Sequence, residues 1–199
     1  MLVSSGLGIK MIKVAHRVNN VAGLKSIPPK VGVEVDVRSM GSKLVLDHDF
    51  PANGESLNDF LASFEHAMLV INVKEDGLED AIMGLPNFPK VKQYFFLDQP
   101  IPTMLKANKN GISTAIRVSE YEELPRNVTG AQWVWIDSFT GNWDHLESAL
   151  QYSMDFNLRT CLVAPELQGR FEKQESMELM ANYGSRLDAV CTKNIDLWN

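Results

Sequence analysis

Two cysteines in 199 residues are too few for a disulfide framework, and no cysteine spacing of the metal-binding kind exists. Cys161 and Cys191 each fall inside an apolar run, which reads as a pair of buried thiols acting as small hydrophobes in a reducing compartment. No run of about 18 apolar residues occurs, which excludes a membrane-spanning helix of ordinary length. The opening MLVSSGLGIKMIK lacks the apolar centre of a secretory leader, so a cytoplasmic protein is expected, with residues 1–10 as a loose leading segment. Basic residues are also scarce: 19 against 25 acidic, a formal charge of −6 and a pI near 5.2. That balance speaks against nucleic acid as the main partner, because such binding needs clustered lysine and arginine. It leaves room for a local cationic pocket that takes one phosphate.

The chain does carry short apolar runs alternating with helical periods, the pattern of βα units around a parallel sheet. Strands are expected at Lys13–His16, Val33–Val37, Met68–Lys74, Tyr94–Asp98, Ser113–Val118, Gln132–Asp137, Thr160–Ala164 and Ala189–Thr192. Helices are expected at Ser56–Glu65, Thr103–Asn108, Asp144–Asp155 and Phe171–Tyr183, with Ser56 and Asp144 as N-caps and Gly184 as a stop. Eight strands within 199 residues imply a single domain, a small TIM-type (β/α)8 barrel of the α/β class. The connection between the second and third of these strands is too short for an inserted cap domain, which implies an open mouth.

A barrel keeps its chemistry at the C-terminal ends of its strands. Those ends here read His16-Arg17, Asp36, Lys74-Glu75, Asp98, Arg117, Asp137 and Glu166. Three such groups crowd into one segment, VAHRVNNVAGLKSIPPKVGVEVDVRSMGSKLVLDHD, from Val14 to Asp49. In Gly32–Arg38 the side chains alternate, so Glu34 and Asp36 share a face with Cα atoms about 6–7 Å apart, while Val33, Val35 and Val37 take the other. Two carboxylates on one side of a packed strand repel each other and are costly to desolvate unless a cation lies between them; a hard divalent ion, Mg²⁺ or Ca²⁺, suits oxygen ligands. His16 and His48 each close an apolar run, and imidazoles that titrate near neutrality can serve as base and acid.

The order His-Arg, then Glu-x-Asp, then His-Asp after a short hairpin resembles the glycerophosphodiester phosphodiesterase family, within the superfamily of phospholipase-C-like phosphodiesterases. The resemblance runs from Ile12 to Lys74 in motif and continues as architecture. It implies a TIM-type barrel, His16 and His48 as the acid/base pair, Glu34 and Asp36 on one divalent metal, and Arg17 and Lys74 on the phosphate of a small-molecule phosphodiester. Three positions depart from the family's pattern: Val18-Asn19-Asn20 follows His-Arg where a glycine is usual, Asn72 stands where a third metal-binding glutamate is usual, and Thr192-Lys193 replaces Thr-Asp. An asparagine carbonyl ligates a hard cation without supplying charge, so Asn72 implies a metal site leaner in negative charge.

Lys74 shares a strand face with Asn72 and has two readings, a cation that neutralises a phosphate oxygen as charge develops and a lysine snorkelling out of the barrel rim. Arg117 has two readings, a substrate or phosphate contact and an ion pair with Asp98 or Asp137. Trp133 and Trp135 lie on one strand face, as core or as a wall for a sugar or glycerol group. The loop Pro165–Arg170 follows the seventh of the expected strands and borders the same mouth. The reading is a metal-dependent phosphodiester hydrolase. Its alternatives are a barrel that binds a phosphate or sugar phosphate without turnover, and a lyase-like relative that releases a cyclic phosphate. Oligomeric state is not encoded in any of these signals.

Overall fold

A computed structural model describes residues 11–50, 53–127 and 129–199. The apolar runs become β1 (Ile12–Ala15), β2 (Gly32–Met40), β3 (Lys43–Leu46), β4 (Glu55–Ser56), β5 (Leu69–Val73), β6 (Tyr94–Leu97), β7 (Ala115–Val118), β8 (Trp133–Ile136), β9 (Arg159–Val163) and β10 (Ala189–Thr192). Eight of them, all but β3 and β4, are parallel and coincide with the eight expected strands. Their lateral order is β6-β5-β2-β1-β10-β9-β8-β7. Between β6 and β7 no ladder forms; one parallel bridge, Phe96 to Thr114, and a 2.9 Å bond from the Phe96 N–H to the Ser113 carbonyl span the seam.

Alternation along these strands builds a core on each side of the sheet. Val14, Met68, Val70, Phe95, Leu97, Ala115, Trp133, Trp135, Cys161, Val163, Ala189 and Cys191 pack together as the inner cluster. Their neighbours one residue on, such as Val33, Val35, Ile71, Phe96, Ile116, Val134 and Leu162, pack outward against helices. Trp133 and Trp135 are therefore core residues, packed against Phe95, the first tilted and the second edge-on, at ring-centroid distances of 4.8 and 6.2 Å. Both thiols are free, and burial pushes them well above the ordinary cysteine range.

The helices are α1 (Val21–Ser26), α2 (Leu57–Ala62), α3 (Glu79–Met83), α4 (Ile101–Lys109), α5 (Leu146–Asp155) and α6 (Lys173–Tyr183). Ser56 caps α2 as expected, accepting from the Asp59 N–H at 3.4 Å. Asp144 does not cap α5: the helix starts one residue later, after His145, and the Asp144 N–H is itself held by Asn142 Oδ1 at 2.8 Å. Gly184 ends α6 in a right-handed conformation that runs on into a 3-10 turn. Among the described residues no α-helix lies between β7 and β8, so the outer layer is incomplete relative to a full (β/α)8 ring. No helix among the described residues is long and apolar enough to cross a membrane. The leading segment 1–10 lies outside the described residues.

β2 is the longest strand, and its extra length leaves the barrel. Val37 pairs with Val73 at the end of β5, while Val37–Met40 turns back on β3 as an antiparallel hairpin. The tight turn after Met40 needs a positive φ, which Gly41 supplies at 62°.

Candidate active site

Glu34 and Asp36 face inward from β2 and are each 1% exposed. The turn after β1 wraps them. Arg17 adopts a left-handed backbone, φ 56°, which aims its N–H at Glu34 Oε2 at 2.7 Å. The next N–H, of Val18, goes to the Glu34 carbonyl at 2.8 Å. Asn19 brackets Asp36 from both sides, its Nδ2 donating to Oδ2 at 2.8 Å and its Oδ1 accepting the Asp36 N–H at 2.9 Å. Asn20 then caps α1 by accepting from the Gly23 N–H at 2.6 Å. The Val-Asn-Asn departure is thus an alternative means of fixing the carboxylates and starting a helix.

Asn72 stands opposite Asp36 in the β2–β5 register, and Lys74 follows on the same face. Lys74 Nζ lies 3.1 Å from Asp36 Oδ1 and Arg17 Nε 3.4 Å from Oδ2. Burial, and then the charge of Asp36, push the Glu34 carboxyl up to about 7. Asn72 Oδ1 is buried and has no partner. Two buried carboxylates with an orphaned amide oxygen beside them form an all-oxygen donor set of the kind a hard divalent ion takes. Glu34, Asp36 and Asn72 are the residues whose oxygens suit such an ion; among the described residues no group of three or more His, Cys, Asp or Glu side chains is placed to hold one.

His16 leans over this group with Nε2 3.8 Å from Glu34 Oε2, and its N–H is anchored to the Thr192 carbonyl at 3.1 Å. Burial, with the charges of Arg17 and Lys193, lowers its pKa to about 4, and its Nδ1 has no partner. His48 has another setting. It is 38% exposed, on the loop that leaves the hairpin, and its ring bonds only Asp49, Nδ1 to Oδ1 at 2.8 Å. Its carbonyl accepts from Arg38 Nε at 3.2 Å and Nη2 at 3.0 Å, and Asp47 winds the loop by accepting from the N–H groups of Asp49 and Asn53. Gly54 closes the loop where a Cβ would fall 1.8 Å from the Leu46 carbonyl oxygen. The Asp47 N–H bonds the Asp36 carbonyl at 3.1 Å, which sets the loop beside the carboxylates. Among the described residues no hydrogen bond or ion pair joins His48 to His16, Glu34 or Asp36.

Across the mouth, Arg117 is engaged by Asp98, by Asp137 at 3.4 Å and by Glu122 at 3.9 Å, the ion-pair arrangement. Asp98 has a left-handed backbone, φ 66°. Gln168 donates to both Asp137 oxygens at 3.0 and 3.2 Å, and Glu166 accepts from the Thr192 hydroxyl and from the Lys193 N–H. The loop Pro165–Arg170 thereby ties β8, β9 and β10 together. The sequence reading gave no role to Arg38, placed Glu75 only among the strand-end groups and met Asn19 only as a departure from the family's pattern. Glu75 receives the Ser39 N–H and hydroxyl and so pins the hairpin to β5. The Asn-Asn pair before a helical segment was the available signal for Asn19.

The fold is that of glycerophosphodiester phosphodiesterases. The chain is similar to the enzyme of that name from Agrobacterium tumefaciens, at 14% identity and TM-score 0.65, over 94% of this chain and 98% of that one. A second, from Thermotoga maritima, gives 16% identity and TM-score 0.63 over 94% and 96%. A glycerophosphoryl diester phosphodiesterase from Parabacteroides distasonis gives 10% identity and TM-score 0.68 over 97% and 86%. These neighbours have a TIM-like barrel, and the parallel strands and their order here are those of such a barrel. No family model matches the chain, and no curated protein matches it in sequence.

Proposed function

We propose that this chain is a divalent-metal-dependent phosphodiester hydrolase acting on a glycerophosphodiester-like small molecule. The observation that carries the reading is the inward row Glu34, Asp36, Asn72 and Lys74 on adjacent strands at the barrel's C-terminal mouth, with His16 over it. Glu34, Asp36 and Asn72 would hold Mg²⁺ or Ca²⁺, which when bound polarises the phosphate and neutralises developing charge. Lys74 and Arg17, already drawn to Asp36, turn their charge to the phosphate oxygens. Arg117 opposes them from the far wall as a further contact for the substrate. One histidine takes the proton of the attacking hydroxyl or water, and the other returns a proton to the departing alcohol; His48 is brought to its task by the hairpin loop.

Hydrolysis of glycerophosphodiesters and an activated aryl phosphodiester, with Mg²⁺, Ca²⁺ or Mn²⁺ and with chelator, tests the reading. Turnover that disappears with chelator and in Asp36→Ala supports it; absence of turnover with every metal, in folded protein, refutes it. Positioned acid–base groups contribute about 10²–10⁴-fold, so His16→Ala and His48→Ala should each lose that much in kcat with the circular dichroism spectrum unchanged. Near-normal turnover in His48→Ala would remove that residue from the mechanism.

A second reading, a barrel that binds phosphate without turnover, is favoured by one observation: Asp36 is already satisfied by Lys74, Arg17 and Asn19. It predicts binding of inorganic phosphate, weakened by Lys74→Ala, in a protein inert toward every ester. A cyclic product seen by phosphorus NMR would instead identify lyase-like chemistry.

A further inference from the structure

The N-terminal end of the barrel, opposite the mouth that holds Glu34 and Asp36, carries a polar cavity of its own. It opens beside the seam where β6 and β7 share a single bridge, and residues at the starts of β6, β7, β8 and β9 surround a volume of about 460 Å³. Its charged members are Lys92 and Arg159, and among the described residues no carboxylate lines it. In a chain with 25 acidic and 19 basic residues, a wall with two cations and no acid runs against the composition. Acids on neighbouring segments are engaged elsewhere: Asp188 accepts from the Thr160 N–H at 2.8 Å, and Asp155 from Gln151 at 2.8 Å.

Arg159 is held ready by its neighbours. It opens β9, its N–H bonded to the Gln132 carbonyl at 2.9 Å, and its guanidinium carbon lies over the Trp133 ring, 5.5 Å from the centroid. Trp133 is fixed in the inner core against Phe95, so the guanidinium rests on a rigid platform. Exposed, and with no ion pair or side-chain hydrogen bond among the described residues, it keeps its whole fork of N–H donors. Lys92 spends one donor on the Pro89 carbonyl at 3.0 Å and keeps two. The Ser113 hydroxyl and the Asn157 amide stand in the same lining. The Gln132 amide braces the wall, accepting from the Thr114 N–H at 3.1 Å and donating to the Gly130 carbonyl.

We propose that this cavity is an anion site for a small phosphomonoester, separate from the mouth of the barrel. A dianionic phosphate matches the two cations in charge, and its oxygens match a guanidinium fork flanked by ammonium, hydroxyl and amide donors. A carboxylate brings a single charge and answers one cation of the two. The volume has room for the phosphate and a small hydroxylated body beside Ser113 and Asn157. The proposal does not rest on the phosphodiesterase reading, because none of these residues belongs to the carboxylate group on β2.

The test is isothermal titration of the full chain with glycerol phosphate and with inorganic phosphate, in chelator and at about 0.15 M salt, which screens diffuse attraction. Lys74 and Arg17 offer phosphate a place at the mouth, so the titration is repeated in Lys74→Ala. Binding should persist in Lys74→Ala and fall about ten- to a hundredfold in Arg159→Gln, with Arg159→Lys in between. Lys92→Gln, outside any strand, should also weaken binding, and it decides the matter if Arg159→Gln does not fold. Unchanged affinity in Arg159→Gln and Lys92→Gln, binding abolished by Lys74→Ala alone, or no binding by wild type at millimolar phosphate overturns the proposal. Acetate that competes as well as phosphate overturns it too, since one charge would then suffice.

Discussion

Asn72 sets the charge of the carboxylate group. Opposite Asp36 and with an orphaned Oδ1, it offers oxygen without charge. Asn72→Asp adds a third carboxylate next to two that already desolvate each other. Without metal this should lower Tm by several degrees, since about 1 kcal/mol shifts Tm by roughly 2–4 °C in a domain of this size. With Mg²⁺ or Ca²⁺ the variant should recover that loss and bind the ion more tightly than wild type by isothermal titration. An unchanged Tm in chelator would mean that the new carboxylate does not face the other two.

Glu120 illustrates a different balance. Partial burial would raise its pKa, but hydrogen bonds from the Thr140 hydroxyl and N–H and from the Phe139 N–H outweigh it and bring the group down to about 2. A carboxylate depressed in the folded state contributes stability that is complete above its unfolded pKa and disappears as pH falls through the folded value. The loop bearing Phe139 should therefore loosen between about pH 4.5 and 2. Glu120→Gln should flatten the acid limb of the urea-denaturation profile in that window and leave the slope above pH 6 unaltered.

At this scale the sequence was informative where strand parity applied. Glu34, Asp36, Asn72 and Lys74 share one face because residues two apart in a strand must. Asn19 was not legible, because its grip on Asp36 depends on the path of a turn that reverses at the left-handed Arg17. The orientation of His48 was not legible, since a loop outside the barrel determines where its ring points.

Elements were legible in proportion to their burial. The eight barrel strands are apolar on both faces over most of their length, and their shortness and richness in β-branched and aromatic residues mark them as strands. Helices α1 and α3 escaped because six and five residues are too few to show a repeating stripe, and such segments are held by packing rather than by propensity. α2 is as short but was visible through its cap and its apolar stripe. Phe60, fully buried with Leu57 and Leu61 against the outer core, holds that helix to the barrel. Phe60→Ala should cost about 3–5 kcal/mol in urea denaturation, as large-to-small changes at closed sites do. A loss under about 1 kcal/mol would show that α2 is dispensable to the core.

For the whole molecule, the barrel was implied by the count and spacing of strands, but its unevenness was not. Nothing in an apolar run tells that β6 meets β7 through one bridge, or that no helix follows β7 among the described residues. The described residues between Ser119 and Gln132 include the exposed Glu122, Glu123, Arg126 and Asn127 and form no helix that would resist bending. A chain bound into a protease cleft has to become extended over several residues, which helices and buried strands refuse and this segment permits. Trypsin should make its first cut after Arg126. The two pieces should remain joined in native gel filtration, because Ala115–Val118 on one stays paired with Trp133–Ile136 on the other. With no helix among the described residues between β7 and β8, this fold would be a natural two-fragment protein, divisible into a portion that carries His16, His48, Glu34 and Asp36 and a portion that completes the row of parallel strands beside them.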